Sequence, residues 1–122
     1  MVVGIGVDLV DVARFERALE RTPKLRSRLF GLEDLSRHDL SAQSLAARFA
    51  AKEAALKALG GNVPGFTWHD VQVSGDSGNP PQLLLTGAAL ERAGDSGATS
   101  WHLSLSHDKG MAVAFVVMEG DR

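Results

Sequence analysis

The chain has 122 residues, a formal net charge of −2 and no cysteine, and 44% of its residues are hydrophobic. This composition predicts one folded domain over residues 1–122, and it excludes disulfide bonds and thiolate chemistry. No apolar run approaches the roughly 18 residues that a membrane span needs, and no basic, cleavable leader opens the sequence, so we expect a cytoplasmic enzyme or binding protein without a membrane partner.

The first predicted element is a buried strand over residues 2–7 that ends at Asp8, because β-branched residues dominate it. The G-I-G run at 4–6 does not fit a dinucleotide-binding turn, since the third glycine of that pattern would fall at Leu9. We interpret these glycines as positions of close backbone packing. Asp8 has two interpretations: it caps a following helix, with Asp11 near its first turn, or it holds a hard cation at the strand end.

A helix is predicted to begin at residues 8–11 and to end near Arg21. Short helical turns follow at 23–29 and 32–38. The inner side of the first helix carries Val12, Phe15 and Leu19.

The region from residue 12 to residue 30 carries six basic and two acidic side chains, a local charge of +4 in an acidic chain. It is either a solvated helix face or a docking surface for an acidic partner, because charge of one sign steers a partner of the other. No nucleic-acid partner is expected, since the chain as a whole is acidic and this region has few aromatic residues. The basic residues are Arg14, Arg17, Arg21, Lys24, Arg26 and Arg28.

The strongest local signal is the alanine-rich stretch from residue 45 to residue 61, LAARFAAKEAALKALGG. Its composition predicts a helix that Ser41 or Ser44 can cap and that the Gly60-Gly61 pair can end in a left-handed conformation. At about 100° per residue, an apolar stripe forms on one side, with Lys52 inside its arc. The stripe consists of Leu45, Phe49, Leu56 and Leu59.

Charged side chains interrupt and flank this stripe. Glu53 and Lys57 are one turn apart and can form an ordinary helix ion pair, while Lys52 can extend its ammonium group out of the core. The alternative is that these charges belong to a functional site.

After a glycine-rich loop at 60–68, the hydrophobic period changes from that of a helix to that of strands. The predicted elements are strands at 68–73 and 82–86, a short helix at 87–93, and strands at 99–107 and 111–118. The last strand is nearly continuous in apolar residues, which predicts burial on both of its faces. Asp108-Lys109-Gly110 predicts a tight hairpin before it.

His107 continues the apolar face of the strand at 99–107. A histidine in such a position is more often a core residue with hydrogen-bonded ring nitrogens, a satisfied core histidine, than a functional residue. Ser106, His107 and Asp108 do not form a hydrolase triad, because neighbouring strand residues point to opposite faces.

Four sequence blocks resemble the small bacterial holo-acyl-carrier-protein synthases in order and spacing. They are the opening strand GIGVDLVDVARF, the helix RFAAKEAALKALG, the turn Gly78-Asn79-Pro80 and the hairpin HLSLSHDKGMAVAFVV. The resemblance covers nearly the whole chain. It implies an α+β fold, in which a mainly antiparallel sheet is wrapped around the long helix, and assembly as a trimer with active sites between neighbouring subunits.

The resemblance also implies an activity. Such enzymes transfer 4′-phosphopantetheine from coenzyme A to a serine of an apo acyl carrier protein, release adenosine 3′,5′-bisphosphate and support fatty acid biosynthesis. Mg²⁺ is the implied cofactor, with Mn²⁺ as an alternative, because a diphosphate under attack needs a hard cation. A noncatalytic coenzyme A or nucleotide-binding module and a purely structural trimer are the rival interpretations.

The resemblance assigns roles to particular residues. Asp8 and Glu53 match the metal ligands, and Lys57 matches a phosphate-binding lysine. His107 matches a residue that contacts the 3′-phosphate of coenzyme A, and Asp108 follows it.

Three further roles are implied less specifically. The loop that begins at Gly60 and the turn at Pro80 would border the nucleotide. The proton of the serine would pass to Glu53, to Asp108 or, our first choice, to a metal-bound water relayed through a carboxylate. Lys52 would face either the cleft or an intramolecular carboxylate.

The same resemblance implies a binding partner for the basic region. Acyl carrier proteins are small acidic bundles, and Arg14 falls where the family has an arginine that contacts the carrier. The other members are inferred from spacing and charge. The predicted carrier-binding residues are Arg14, Arg17, Arg21, Arg26 and Arg28, with Lys24 nearby.

Overall fold

The strands and the long helix form close to where the sequence pattern places them. The computed structural model describes residues 1–36, 40–75 and 79–121. No helix in these ranges is long and apolar enough to cross a lipid bilayer. In chain order the elements are β1 (Val2–Asp11), α1 (Val12–Arg21), α2 (Leu25–Leu29), α3 (Leu32–Leu35), α4 (Ala42–Ala58), a 3-10 turn (Trp68–Asp70), β2 (Val71–Ser74), β3 (Gln82–Leu85), α5 (Gly87–Asp95), β4 (Ala98–Asp108) and β5 (Met111–Gly120).

An antiparallel sheet in the strand order β1-β5-β4 packs one of its faces against α4. β2 and β3 pair with each other in a second, two-stranded antiparallel sheet. In the hairpin between β4 and β5, Lys109 and Gly110 have φ values of 49° and 77°, the left-handed conformation that two-residue hairpins require. The predicted α+β class, a mainly antiparallel sheet on a long helix, is confirmed.

β1 and α4 approach each other closely because two residues of β1 have no side chain. A Cβ built on Gly6 would lie 1.8 Å from the carbonyl oxygen of Ala54, and one built on Gly4 would lie 2.2 Å from that of Ala58. Any side chain at these positions would push α4 away from the sheet, so the interpretation of these glycines as packing positions is confirmed. This close contact also fixes where Glu53 lies relative to β1.

Both ends of α4 have the caps that the sequence predicts. The Ser41 hydroxyl accepts a hydrogen bond from the Ser44 backbone N–H at 3.2 Å, so Ser41 is the N-terminal cap. At the other end, Gly60 and Gly61 have φ values of 92° and 70°. Left-handed glycines at this position are the usual way for a helix to end.

α4 is buried on most of its circumference, so the predicted apolar stripe is only part of its packing. Phe49 and Leu56 from that stripe are half-buried. Alanines provide much of the remaining contact, because their small side chains let the helix lie close to the sheet. The buried alanines of α4 are Ala46, Ala50, Ala51, Ala54, Ala55 and Ala58.

The boundary between β1 and α1 differs from the prediction. Asp8 lies inside β1 opposite Ala114, so the interpretation of Asp8 as a helix cap is wrong. Asp11 is the cap, and its Oδ1 accepts a hydrogen bond from the Arg14 backbone N–H at 3.0 Å. The strand is longer because its pairing with β5 continues as far as Met111 and overrides the local polar character of the sequence.

The shorter elements also differ in their bounds. α2 begins at Leu25 and not at Pro23. Residues 68–70 form a 3-10 turn instead of the start of a strand, because Asp70 accepts hydrogen bonds from the backbone and hydroxyl of Thr67. The expected helical turn at 32–38 ends at Leu35, and its residues 37 and 38 lie outside the described residues.

The face of the sheet that points away from α4 is apolar and exposed. At its centre, Val7 and Phe115 lie opposite each other and are 46% and 45% exposed, and Ile5 and Leu9 flank them. The prediction that β5 is buried on both faces is wrong for the isolated chain, because only one face meets α4. The residues that β5 buries against α4 are Ala112, Ala114, Val116 and Met118.

Lys52 pairs with an intramolecular carboxylate in the core. Lys52 and Asp34 have fully buried side chains, and Nζ lies 2.7 Å from Asp34 Oδ2. Lys52 also donates hydrogen bonds to the carbonyls of Trp68 and Val71, while Asp34 Oδ1 accepts one from the Val73 backbone N–H. Burial lowers the pKa of Lys52 from its ordinary value, and Asp34 opposes this shift. The expectation that Lys52 extends out of the core is wrong, and so is its orientation toward a cleft.

Candidate active site

A cleft of about 520 Å³ opens between β1, α1 and α4. We call it the carboxylate cleft, because Asp8 of β1 and Glu53 of α4 both line it. Arg14 of α1 adds a positive charge to its wall. The structure therefore brings the two predicted metal ligands into one cleft. Its other lining residues are Leu9, Val10, Asp11, Phe15, Ala18, Phe49 and Met111.

The positions of the two carboxylates follow from local structure. Side chains alternate along a strand, so Asp8 shares the face of β1 that carries Gly6 and Val10 and points toward α4. Glu53 directly precedes Ala54, the helical residue whose carbonyl contacts Gly6. The glycine contact that brings strand and helix together thus also brings the carboxylates together.

Lys57 forms its ion pair with Asp8, across from α4 to β1. Its Nζ lies 3.0 Å from Asp8 Oδ1 and donates a second hydrogen bond, also 3.0 Å long, to the Val7 carbonyl. The Asp8 side chain is 17% exposed and that of Lys57 is 54% exposed. The ammonium group is accessible to a ligand, while the carboxylate is largely covered.

Burial raises the pKa of Glu53 above its ordinary value, the Asp8 carboxylate raises it further, and Lys57 opposes both effects. The two carboxylates repel each other, and a hard divalent cation bound by both would remove this repulsion. Mg²⁺ typically takes one or two protein carboxylates and completes its shell with water and substrate phosphates. The described ranges contain no group of three or more His, Asp and Glu side chains suited to a metal. A cation at Asp8 and Glu53 therefore needs further ligands from water or substrate.

His107 and Asp108 lie at the end of β4 and do not line the carboxylate cleft. Both are exposed, so the expectation that His107 is a satisfied core histidine is wrong for the isolated chain: β4 continues beyond the core. His107 borders a separate cavity of about 190 Å³ with Ser44 and Arg48 of α4. β5 lies between the strands that carry Asp8 and His107.

The two positions expected to border the nucleotide also lie outside the carboxylate cleft. Pro80 lines a cavity of about 460 Å³ together with Trp101 and His102. Gly60 begins the loop that follows α4. Gly78, the first residue of the quoted turn, lies outside the described residues.

The basic region forms an exposed surface on α1, α2 and the turn between them. All of its arginines are exposed. Arg14 also lines the carboxylate cleft, so this surface and the carboxylates share an edge. The exposed arginines are Arg14, Arg17, Arg21, Arg26 and Arg28.

Three residues that belong to α4 or bind its groups are not among those predicted from the sequence. Asp34 is the buried partner of Lys52, and Arg48 donates from Nε to the Asp34 carbonyl at 3.0 Å. Arg92 donates from Nη1 to the Leu59 carbonyl at 3.0 Å, at the end of α4. A signal existed for Arg48, because it lies one helical turn before Lys52 on the same face. Asp34 and Arg92 are distant in sequence from the groups they bind.

Comparison with known protein families identifies the class. Residues 4–116 match the 4′-phosphopantetheinyl transferase superfamily. The match spans most of the chain, including α4, β4 and most of β1 and β5.

Individual relatives narrow the class further. The holo-[acyl-carrier-protein] synthase of Kocuria rhizophila is 55% identical over 119 residues, which cover 98% of this chain and 94% of that protein. Among solved structures, the holo-[acyl-carrier-protein] synthase of Neisseria meningitidis superposes with a TM-score of 0.85 at 29% identity, covering 98% of this chain and 99% of that one. The Helicobacter pylori enzyme, solved in complex with coenzyme A, has a TM-score of 0.78 at 30% identity and covers 94% of this chain and 99% of that one.

The chain belongs to the holo-[acyl-carrier-protein] synthases, within the 4′-phosphopantetheinyl transferase superfamily. The predicted family is confirmed. So is the predicted enzyme class, a transferase that moves phosphopantetheine from coenzyme A to an apo acyl carrier protein.

Proposed function

We propose that the carboxylate cleft is where the diphosphate of coenzyme A is cleaved and 4′-phosphopantetheine passes to a serine of an apo acyl carrier protein. The observation that carries this proposal is that the carboxylates of Asp8 and Glu53 line one cleft and that the ammonium group of Lys57 pairs with Asp8. The carboxylates suit a hard cation, and the accessible ammonium group suits a phosphate.

Asp8 and Glu53 would hold Mg²⁺, with Mn²⁺ as the alternative. The bound cation supplies neutralisation of negative charge on the diphosphate oxygens. Lys57 adds a second positive charge from the accessible side, and reactions of this kind depend mainly on positioning and electrostatics.

In the transfer step, the serine oxygen forms a new bond to the phosphorus attached to pantetheine, and the bond from that phosphorus to the bridging diphosphate oxygen breaks. Adenosine 3′,5′-bisphosphate leaves with the bonding electrons. The serine proton would pass to the Glu53 carboxylate, which lines the cleft, either directly or relayed through a water molecule. Asp108 lies outside the cleft of its own chain, so a role for it requires a neighbouring subunit.

A trimer would account for two features of the isolated chain. The sheet exposes an apolar face around Val7 and Phe115, and such a face is typical of a surface that another subunit covers. His107 and Asp108 lie at the end of a hairpin, away from the carboxylate cleft of their own chain. In a cyclic trimer each hairpin would contribute to the neighbouring cleft, where His107 would contact the 3′-phosphate of coenzyme A.

The basic surface is the proposed docking site of the carrier, and it shares Arg14 with the cleft. An acidic carrier held there would present its serine at the carboxylates, since opposite charges fix the orientation of an encounter. Action in the cytoplasm, where coenzyme A and free carriers are available, completes the proposal.

The test is mass spectrometry of an apo carrier incubated with the enzyme, coenzyme A and Mg²⁺. Transfer adds one phosphopantetheine group, a mass gain of about 340 Da, to the carrier. EDTA should abolish the gain and added Mg²⁺ should restore it. An unchanged carrier mass despite tight coenzyme A binding would favour the noncatalytic binding module, and the absence of both would favour a structural trimer.

A comparison of variants tests whether the reaction takes place in the cleft. Asp8→Asn and Glu53→Gln keep the side-chain shapes but remove the charges, so both should abolish transfer. Glu91→Gln makes the same kind of change on α5, outside the cleft, and should leave transfer intact. Full activity of the Asp8 and Glu53 variants would contradict the proposed site.

A further inference from the structure

Arg92 of α5 reaches the end of α4 and the loop that follows it. Its Nη1 donates to the Leu59 carbonyl at 3.0 Å, and its Nη2 donates to the Asn62 carbonyl at 3.5 Å. Leu59 is the C-terminal cap of α4, and Asn62 has a left-handed φ of 45°. One guanidinium group thus links the helix end to the first residues of the loop at 60–65.

The two sides of this link differ in how firmly the fold holds them. α5 is anchored, because Ala89 and Ala93 are fully buried. The loop takes positive φ values at Gly60, Gly61 and Gly65, and glycine by itself has little preference for one conformation. Arg92 therefore links the glycine-rich loop, which has little intrinsic preference for one backbone conformation, to an anchored helix.

The positive charge of Arg92 also affects the electrostatics at the C-terminal end of α4. The carbonyl end of a helix carries partial negative charge and repels a phosphate. Arg92 places positive charge there, at the Leu59 carbonyl, whereas the Lys57 ammonium group lies at Asp8 and the Val7 carbonyl of β1. The Gly60 backbone N–H donates to the Lys57 carbonyl at 3.0 Å, so the start of the loop and the lysine belong to the same turn.

We propose that Arg92 is a positioning residue for coenzyme A. It holds the 60–65 loop in its bound shape and neutralises the carbonyl end of α4, so that Lys57 and the loop receive the phosphates of the donor without an ordering cost. Arg92 acts through these groups and does not touch the reacting atoms. The inference rests on the proposed function and on the expectation, implied by the family resemblance, that the loop that begins at Gly60 borders the nucleotide.

The first test is steady-state kinetics of Arg92→Met with both substrates. The KM for coenzyme A should rise about tenfold, the size expected for a lost charge-assisted hydrogen bond, while the KM for the carrier stays the same. Arg92→Lys keeps the charge and should recover part of the affinity. Glu91→Gln, which borders the same surface cavity, is the matched control and should leave both KM values unchanged.

The second test is amide hydrogen exchange of the 60–65 loop without coenzyme A, which Arg92→Met should accelerate. If Arg92→Met does not fold, Arg92→Gln replaces it in both experiments. Unchanged KM for coenzyme A in a variant that is folded at the assay temperature would reduce Arg92 to a structural role and overturn the inference. Wild-type enzyme is assayed in parallel: a wild type that fails to modify the carrier contradicts the proposed function, whereas an active wild type with an unaffected variant contradicts only the role of Arg92.

Discussion

Lys57 Nζ lies 3.0 Å from Asp8 Oδ1, and this ion pair joins the last turn of α4 to the middle of β1. In the proposed reaction, Asp8 is also a ligand of the cation that Glu53 helps to hold. A lysine and a cation compete for the same carboxylate oxygens unless a substrate phosphate takes over the lysine. Binding of coenzyme A should therefore move Lys57 from Asp8 to a phosphate.

Lys57→Met should separate metal binding from donor binding. Without coenzyme A, Asp8 in the variant has lost its competing ammonium partner, so Mg²⁺ should bind at least as tightly as in wild type. The KM for coenzyme A should rise about tenfold or more, because a charge-assisted contact to phosphate is lost. Titration calorimetry with Mg²⁺ and steady-state kinetics measure the two effects. Lys57→Arg retains the charge and serves as the control, and weaker Mg²⁺ binding by Lys57→Met would contradict the competition.

Stability of the metal-free protein should depend on pH through Glu53. Its folded pKa is raised above the unfolded value of about 4.3. Between these two values the folded state binds more protons than the unfolded chain, so the free energy of unfolding falls as pH rises through this window. Above the folded pKa the contribution of Glu53 is lost.

Glu53→Gln isolates this contribution, because the amide does not titrate. Urea denaturation of both proteins in EDTA across the acidic range should show a wild-type free energy of unfolding that falls relative to the variant as pH rises. Mg²⁺ should then stabilise wild type selectively at the upper end of the window, since it binds only the folded, ionised site. Parallel pH curves for the two proteins would mean that Glu53 has an ordinary pKa.

The features that the sequence predicted correctly are local ones. The Ser41 cap, the Gly60-Gly61 ending and the alternation of β4 each depend on residues a few positions apart. The partners of Lys52 and Lys57 depend on chain segments brought together by folding: Asp34 and Asp8 are far from them in sequence. Periodicity places a charge on a helix face but does not identify the group opposite it.

The exposure of His107 shows the same limit in another way. Alternation correctly assigned it to the apolar face of β4, the face that also carries Leu103 and Leu105. How far the core extends beneath that strand depends on where α4 packs, and the alternation of apolar residues in β4 does not predict this. The family resemblance assigns Asp8 and Glu53 as the proposed metal ligands, and the geometry adds that a glycine contact between β1 and α4 brings them together.

Lys52→Met should destabilise the fold strongly without removing any group from the carboxylate cleft. The methionine leaves the Asp34 carboxylate buried without its ionic partner, and breaking a buried pair in this way typically costs about 3–5 kcal/mol. Chemical denaturation measures the loss. The double variant Asp34→Asn/Lys52→Met removes the unpaired charge and should recover part of it. A Lys52→Met protein as stable as wild type would show that the pair contributes no net stability.

Arg14→Glu should impair carrier binding far more than coenzyme A binding. The substitution places a negative charge on the surface that an acidic carrier approaches, so the KM for the carrier should rise about tenfold or more, most steeply at low salt. Glu16→Gln on the same helix removes a negative charge and should not raise it. Kinetics with each substrate varied in turn make the comparison. Equal increases in both KM values would remove the docking role of Arg14 and would instead reflect its position in the wall of the cleft.

Phe115→Glu should dissociate the proposed trimer. Phe115 lies on the exposed face of the sheet opposite Val7, and a carboxylate buried there without a partner opposes association. Sedimentation equilibrium should give wild type a mass about three times the 13.0 kDa of one chain, and the variant a mass near one chain. Leu32→Glu is the matched control, since Leu32 is 89% exposed on α3, outside this sheet face, and its substitution should leave the trimer intact. If His107 of each subunit serves the neighbouring cleft, Phe115→Glu should also lose transfer activity while retaining its fold, because the separated chain keeps Asp8 and Glu53 but no longer receives that hairpin. A monomeric variant with full activity would show that one chain contains the whole site.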